Sequence, residues 1–118
     1  MTATARAIDL AKAAAAAAEN KLATSVIAID VSDQLALTDV FVVASGETDR
    51  QVAAIVDAVL ERLHDLGAKP IRREGNREDR WVLLDFGDIV VHVQHDEERE
   101  FYALDRLWRD CPTIDLTQ

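Results

Sequence analysis

His92, His95, Asp96 and Glu97 form the densest group of potential metal ligands in the chain. A metal site needs side chains that converge on one ion at about 2 Å, with neighbours that orient them. His92 and His95 stand three residues apart at the end of an apolar strand, so they point to opposite sides of it. The carboxylates that follow sit where a helix begins, and acids there meet the helix dipole favourably. A helix start is the simpler reading. Asp85 and Asp88 suggest paired acids for metal-assisted phosphoryl transfer. A hairpin turn already explains Asp88, however, and no third carboxylate stands at a regular strand spacing. Ser45-Gly46-Glu47-Thr48 joins a strand to a helix N-terminus, a place where backbone N–H groups can cradle phosphate. It has one glycine and no lysine, and Glu47 would repel the ligand, so a turn plus a cap accounts for it. Ser, His and Asp are all present, but no spacing singles out a nucleophile. Arg72, Arg73, Arg77 and Arg80 gather, yet Glu74, Glu78 and Asp79 interleave them, as in a solvated loop.

Composition narrows the classes further. Over 118 residues, 22 Asp+Glu stand against 13 Lys+Arg, a formal net charge of −9, and 49% of the residues are hydrophobic. That is a globular chain with one core, not a disordered acidic tail. The charge argues against direct readout of nucleic acid and against an anionic membrane, and it favours a basic protein as partner. The single cysteine, Cys111, allows no intrachain disulfide and no cysteine metal cluster, and it suits a reducing, cytoplasmic setting. The alanine-rich start is interrupted by Asp9, Lys12 and Glu19, so it reads as neither a signal peptide nor a membrane span.

The elements that would position these residues are legible in outline. Residues 4–20 carry Ile8, Ala11, Ala15, Ala18 and Leu22 at helical spacing. Ser25 to Val31 and Asp39 to Ala44 are apolar and β-branched, hence strands. Thr48 and Gln51 form a capping box for a helix with Val52, Ile55, Val56, Val59, Leu60 and Leu63 on one stripe; Gly67 and Pro70 end it. Pro70-Ile71-Arg72 reads as a strand, completing a β-α-β unit with parallel strands. Trp81 to Phe86 and Ile89 to Gln94 flank Gly87-Asp88, the mark of a two-residue type II′ hairpin. A charged helix over Asp96 to Arg109 follows, ended by Cys111-Pro112. The expected fold is α/β (α+β): one domain over 1–118 with a short tail from 110, built as a mixed sheet of about five strands with helices packed on it.

The two-residue turn fixes the hairpin register. One face is Val82, Leu84, Phe86, Ile89, Val91 and Val93, wholly apolar and meant for the helices. The other pairs Trp81 with Gln94, Leu83 with His92 and Asp85 with Val90. That mixture fits a protein-binding patch, or a face covered by a terminal helix or by a second copy of the chain.

Read as a set, these motifs resemble the ribosomal silencing factor family (RsfS, also called Iojap). Asp30-Val31-Ser32, Thr38-Asp39-Val40-Phe41-Val42-Val43-Ala44-Ser45-Gly46 and Arg50-Gln51-Val52 look like its opening signature. Glu74-Gly75 and the stretch from Trp81 to Val93 look like its second. Arg99 to Trp108 resembles its closing helix. The resemblance implies a binder rather than an enzyme, with no cofactor and no metal. Its fold would be similar to that of nucleotidyltransferases, without their acidic triad. Its partner would be the large ribosomal subunit, met through the fourteenth protein of that subunit on the face that joins the small subunit. Occupying that face blocks subunit joining and represses translation when nutrients are scarce; a role in large-subunit maturation is also associated with the family. Homodimers are common in it. The resemblance assigns partner contact to Trp81, Leu83, Asp85, His92, Glu74 and Asp39, with Trp81 and Leu83 as apolar anchor and the acids facing Arg or Lys. Thr38, Asp39 and Arg50 have an alternative structural reading, as a turn cap and a buried ion pair. Gln94 departs from the pattern, since that position is often aromatic, and Val40 and Phe86 stand where Tyr is common. Two other functions are distinct from this one: an acidic dimeric scaffold with another basic partner, and a nucleotidyltransferase using Asp85 and Asp88.

Overall fold

The computed structural model describes residues 3–75, 80–101 and 108–116, the side chains of 99–101 excepted. Arg77, Glu78 and Asp79 of the basic loop, residues 102–107 of the expected closing helix, and 117–118 lie outside the described residues.

Helix α1 (Ala5–Asn20) begins at Thr4, whose hydroxyl accepts the Ala7 N–H at 3.1 Å. Its buried face is Ala7, Leu10, Ala11, Ala14, Ala15, Ala17 and Ala18, small side chains that let it lie close on its neighbours. Strand β1 (Ser25–Asp30) follows, then β2 (Val40–Gly46). Helix α2 (Asp49–Asp65) starts as its sequence demands: the Thr48 hydroxyl accepts the Gln51 N–H at 3.0 Å. The Gln51 side chain also reaches back. Its carbonyl accepts the Glu47 N–H at 2.7 Å, and its amide donates to the Leu22 carbonyl at 2.6 Å, tying the α1–β1 loop to the start of α2. Gly46 makes room for this, since a Cβ there would lie 3.1 Å from Gln51 Cγ. At the other end Gly67 takes a left-handed φ of 83°. Its N–H donates to His64 and that of Ala68 to Leu63, a Schellman ending.

The remaining elements are β3 (Arg72–Glu74), β4 (Trp81–Asp85), β5 (Ile89–His95) and α3 (Asp96–Phe101). The five strands form one sheet in the order β1-β2-β5-β4-β3. Only β2 and β5 pair in parallel. The hairpin has the register its turn predicts, with Gly87 at φ 87°. Its apolar face (Val82, Leu84, Phe86, Ile89, Val91, Val93) joins Val40, Val42 and Ala44 of β2 and the apolar stripes of α1 and α2 in one core.

The β-α-β expectation needs correction. The third strand is Arg72–Glu74, not Pro70 to Arg72, and it pairs antiparallel with β4. It runs in the same direction as β2, but β5 and β4 stand between them. The reason is burial. Six of the seven residues of β5 are buried, which suits a central strand, whereas all three residues of β3 are charged and exposed, which suits only an edge. Gly46 is the last residue of β2. The tail is also more than a tail. The Asp30 N–H donates to the Pro112 carbonyl at 2.8 Å and the Ile114 N–H to the Ala28 carbonyl at 2.9 Å, so the chain beyond Cys111 lines the outer edge of β1. Ile114 and Leu116 pack against the core.

Candidate functional site

Strand alternation places Trp81, Leu83 and Asp85 of β4 on the sheet face opposite α1 and α2. Across β5 they meet Gln94, His92 and Val90, and beyond these lie Ser45, Val43 and Phe41 of β2. On the far side Glu74 pairs with Leu83 and Arg72 with Asp85. The fold thus brings Trp81, Leu83, Asp85 and His92 together, with Glu74 exposed at the sheet edge.

Trp81 and His92 hold one another. The indole N–H donates to His92 Nδ1 at 3.2 Å. The imidazole also meets the Phe41 ring edge-on at 5.1 Å, and Phe41 meets Trp108 at 5.5 Å, so four rings cross the face. His92 is only 6% exposed, and burial pushes its pKa down from 6.5 to about 4. It is therefore neutral at pH 7, with Nδ1 accepting and its proton on Nε2. Among the described residues, that Nε2 atom and both amide atoms of the fully buried Gln94 have no hydrogen-bond partner. Three buried polar atoms without partners are unusual in one small patch.

Asp85 has a local duty as well, since its Oδ1 accepts the Gly87 N–H at 2.8 Å and stiffens the turn. Asp39 stands apart from Trp81. Its carboxylate accepts the Thr4 N–H at 2.9 Å, at the start of α1, and its own N–H donates to Asp88 at the hairpin tip. Arg50 is exposed, so the buried ion pair considered for it is not formed. Arg72 and Arg80 are matched by acids. Arg80 lies 2.8 Å from Glu97, 3.3 Å from Glu98 and 3.6 Å from Asp49, while Arg72 lies 3.5 Å from Glu74. The histidine and acid cluster is a helix start: His95 Nδ1 accepts the Glu97 N–H at 3.1 Å, and the Asp96 carboxylate accepts the Thr24 hydroxyl. Among the described residues no group of three or more His, Cys, Asp or Glu is placed to hold a metal. Nor is any described helix long and apolar enough to cross a membrane.

Sequence reading missed Phe41, Leu37 and Ile71. Phe41 was legible in the alternation of β2, where Val40 and Val42 face the core. Leu37 and Ile71 are large apolar loop residues, and both line a groove of about 620 Å³ on this face.

The comparisons with known proteins agree with the fold. Residues 4–118 match the family described as "Ribosomal silencing factor during starvation". Ribosomal silencing factor RsfS of Bacillus subtilis is 40% identical over 108 residues, covering 92% of each chain. The mouse protein named "Mitochondrial assembly of ribosomal large subunit protein 1" is 33% identical over 89 residues, which cover 73% of this chain and 39% of the mouse one. A crystal structure of a Chromobacterium violaceum protein superposes with a TM-score of 0.80 at 34% identity, covering 85% of this chain and 83% of that one. With the two signatures seated on adjacent strands of one sheet and the match running over nearly its whole length, the chain belongs to the ribosomal silencing factor family.

Proposed function

We propose that this protein acts in the cytoplasm as a non-catalytic repressor of translation. It docks on the large ribosomal subunit through the sheet face built on Trp81, Leu83, Asp85 and His92, and so keeps the small subunit from joining. The fourteenth protein of the large subunit is the partner, and scarcity of nutrients is the condition in which the block matters. The supporting observation is the face itself: a half-buried tryptophan fixed by a neutral histidine, beside apolar and acidic side chains, on a chain of net charge −9. A rigid aromatic anchor with acids around it suits a basic protein surface, where charge steers the encounter and the buried ring holds the complex. Glu74, at the sheet edge, adds a further acid to that rim. Asp39 joins the contact at the hairpin-tip end, beside Asp88. The name of the mouse relative favours a second use of the same contact, in assembly of the large subunit.

Sedimentation of the purified protein with separated subunits and with intact ribosomes, at two salt concentrations, tests this reading. The expected result is co-migration with the large subunit alone, weakened by salt, and failure of the subunits to join. Trp81→Ala is expected to weaken docking by about 2 kcal/mol or more. Asp85→Arg is expected to abolish it, with circular dichroism confirming that both variants fold. Docking unchanged in both would move the contact off this face.

A further inference from the structure

The sheet ends in two edge strands, β3 and β1. All three residues of β3 are charged and exposed. β1 has six residues and carries no charge from Ser25 to Ile29. An uncharged, largely apolar edge of that length is a template for another strand. The chain beyond Cys111 covers it. The Asp30 N–H donates to the Pro112 carbonyl and the Ile114 N–H to the Ala28 carbonyl, and these two bonds frame one isolated antiparallel bridge, Ile29 with Thr113. Ile114 and Leu116 pack on the core but stay partly exposed. On its other side β1 is held far more firmly, by six residue pairs in register with β2.

We propose that this tail is a removable strand, and that the β1 edge beneath it is a self-association site which the β1 strand of a second copy occupies when the tail leaves. Charge selects that occupant. With a net charge of −9, two copies repel one another over most of their surface. Along Ser25 to Ile29 no acid meets an acid. An antiparallel approach about a two-fold axis pairs the strand with itself, as a self-complementary contact requires, and sets the two Asp30 residues at opposite ends of the seam. A basic strand would gain nothing from Ser25 to Ile29, and the Asp30 carboxylate is already taken up by the Ala3 N–H and by the N–H and hydroxyl of Ser32. Two strands, β2 and β5, separate this edge from Trp81 and Leu83 on β4, so the site is distinct from the docking face proposed above.

The test is sedimentation equilibrium of the full chain beside a full-length variant carrying Ile114→Pro and Leu116→Asp. The proline removes the N–H that the Ala28 carbonyl accepts, and the aspartate puts a charge where Leu116 packs. The expected result is a doubling of the parent's mass. Excess free peptide of residues 112–118 is expected to reverse it, and so is a further change, Ile27→Lys, which charges the seam. Circular dichroism checks the fold. Leu116→Asp alone, which leaves both backbone bonds in place, is expected to shift the mass the same way to a smaller degree, and it decides the matter if the double variant does not fold. The parent's mass in the folded variant would overturn the proposal. A heavier species that survives either the peptide or Ile27→Lys would overturn it too, because its seam would lie elsewhere.

Discussion

The Trp81 indole N–H keeps its acceptor only while His92 is neutral, because a protonated imidazole offers no lone pair at Nδ1. Burial enforces that state by lowering the pKa of His92 from 6.5 to about 4. The unfolded chain takes up this proton near the ordinary value, but the folded chain does not until the lower one. Stability is therefore fully present above about pH 6.5 and falls as the pH drops toward 4, by roughly 3 kcal/mol at the limit. Asp30 acts in a lower window. Burial raises its pKa, but the Ser32 hydroxyl, the Ser32 N–H and the Ala3 N–H outweigh that and hold its carboxyl below the usual range. Its contribution is present above the unfolded carboxylate pKa and is lost as the pH falls through the lower, folded one. Urea unfolding at pH 7.5 and pH 4.5 is expected to show a loss on acidification that is clearly smaller in His92→Phe. Equal losses in the two proteins would place the acid sensitivity elsewhere. Cross-strand neighbours such as Leu83 and His92 were legible in the sequence because a two-residue turn leaves one register. The duty of Asp39 and the bond from Gln51 to Leu22 were not, since both reach backbone groups of segments remote in sequence.

The elements divide along the same line between local and remote causes. The start of α2, the ending at Gly67 and the β4–β5 hairpin follow from residues within a few positions of one another, and each stands where the sequence places it. The hairpin depends on Gly87 twice over. Its φ of 87° is strained for any side chain, and a Cβ there would come within 3.0 Å of Ile71 Cδ1. Gly87→Ala is expected to cost about 1–3 kcal/mol in chemical denaturation, and a loss below 0.5 kcal/mol would mean that the turn relaxes at little cost. Strand order is a different matter. The sequence shows a strand, a helix and another strand, but not which strand wins the free edge of β2. That contest is decided by how much apolar surface each candidate can bury, and β5 buries both its faces whereas β3 buries neither.

At the scale of the whole molecule, α1 and α2 take one face of the sheet and leave the other for Trp81, Leu83 and Asp85. The composition gives the net charge of the chain, but not the shape of that face. Leu37 and Ile71 come from loops whose positions depend on the finished sheet, so the groove between them has no signature in the sequence. The edges of the sheet are likewise treated differently. The β3 edge is short and charged, which discourages pairing with other chains, and the β1 edge is lined by the chain beyond Cys111. That lining has a topological consequence. The Ala3 N–H donates to the Asp30 carboxylate, and the Asp30 N–H donates to the Pro112 carbonyl, so both ends of the path meet at one residue. Between residues 3 and 112 the described path nearly closes on itself. A short glycine–serine linker between the two ends, with new ends opened in the exposed turn between Gly67 and Pro70, is expected to give a circular permutant with the same sheet and a melting temperature within a few degrees of the parent. A permutant that fails to fold would show that the order in which the strands are made, and not only the contacts they reach, determines this structure.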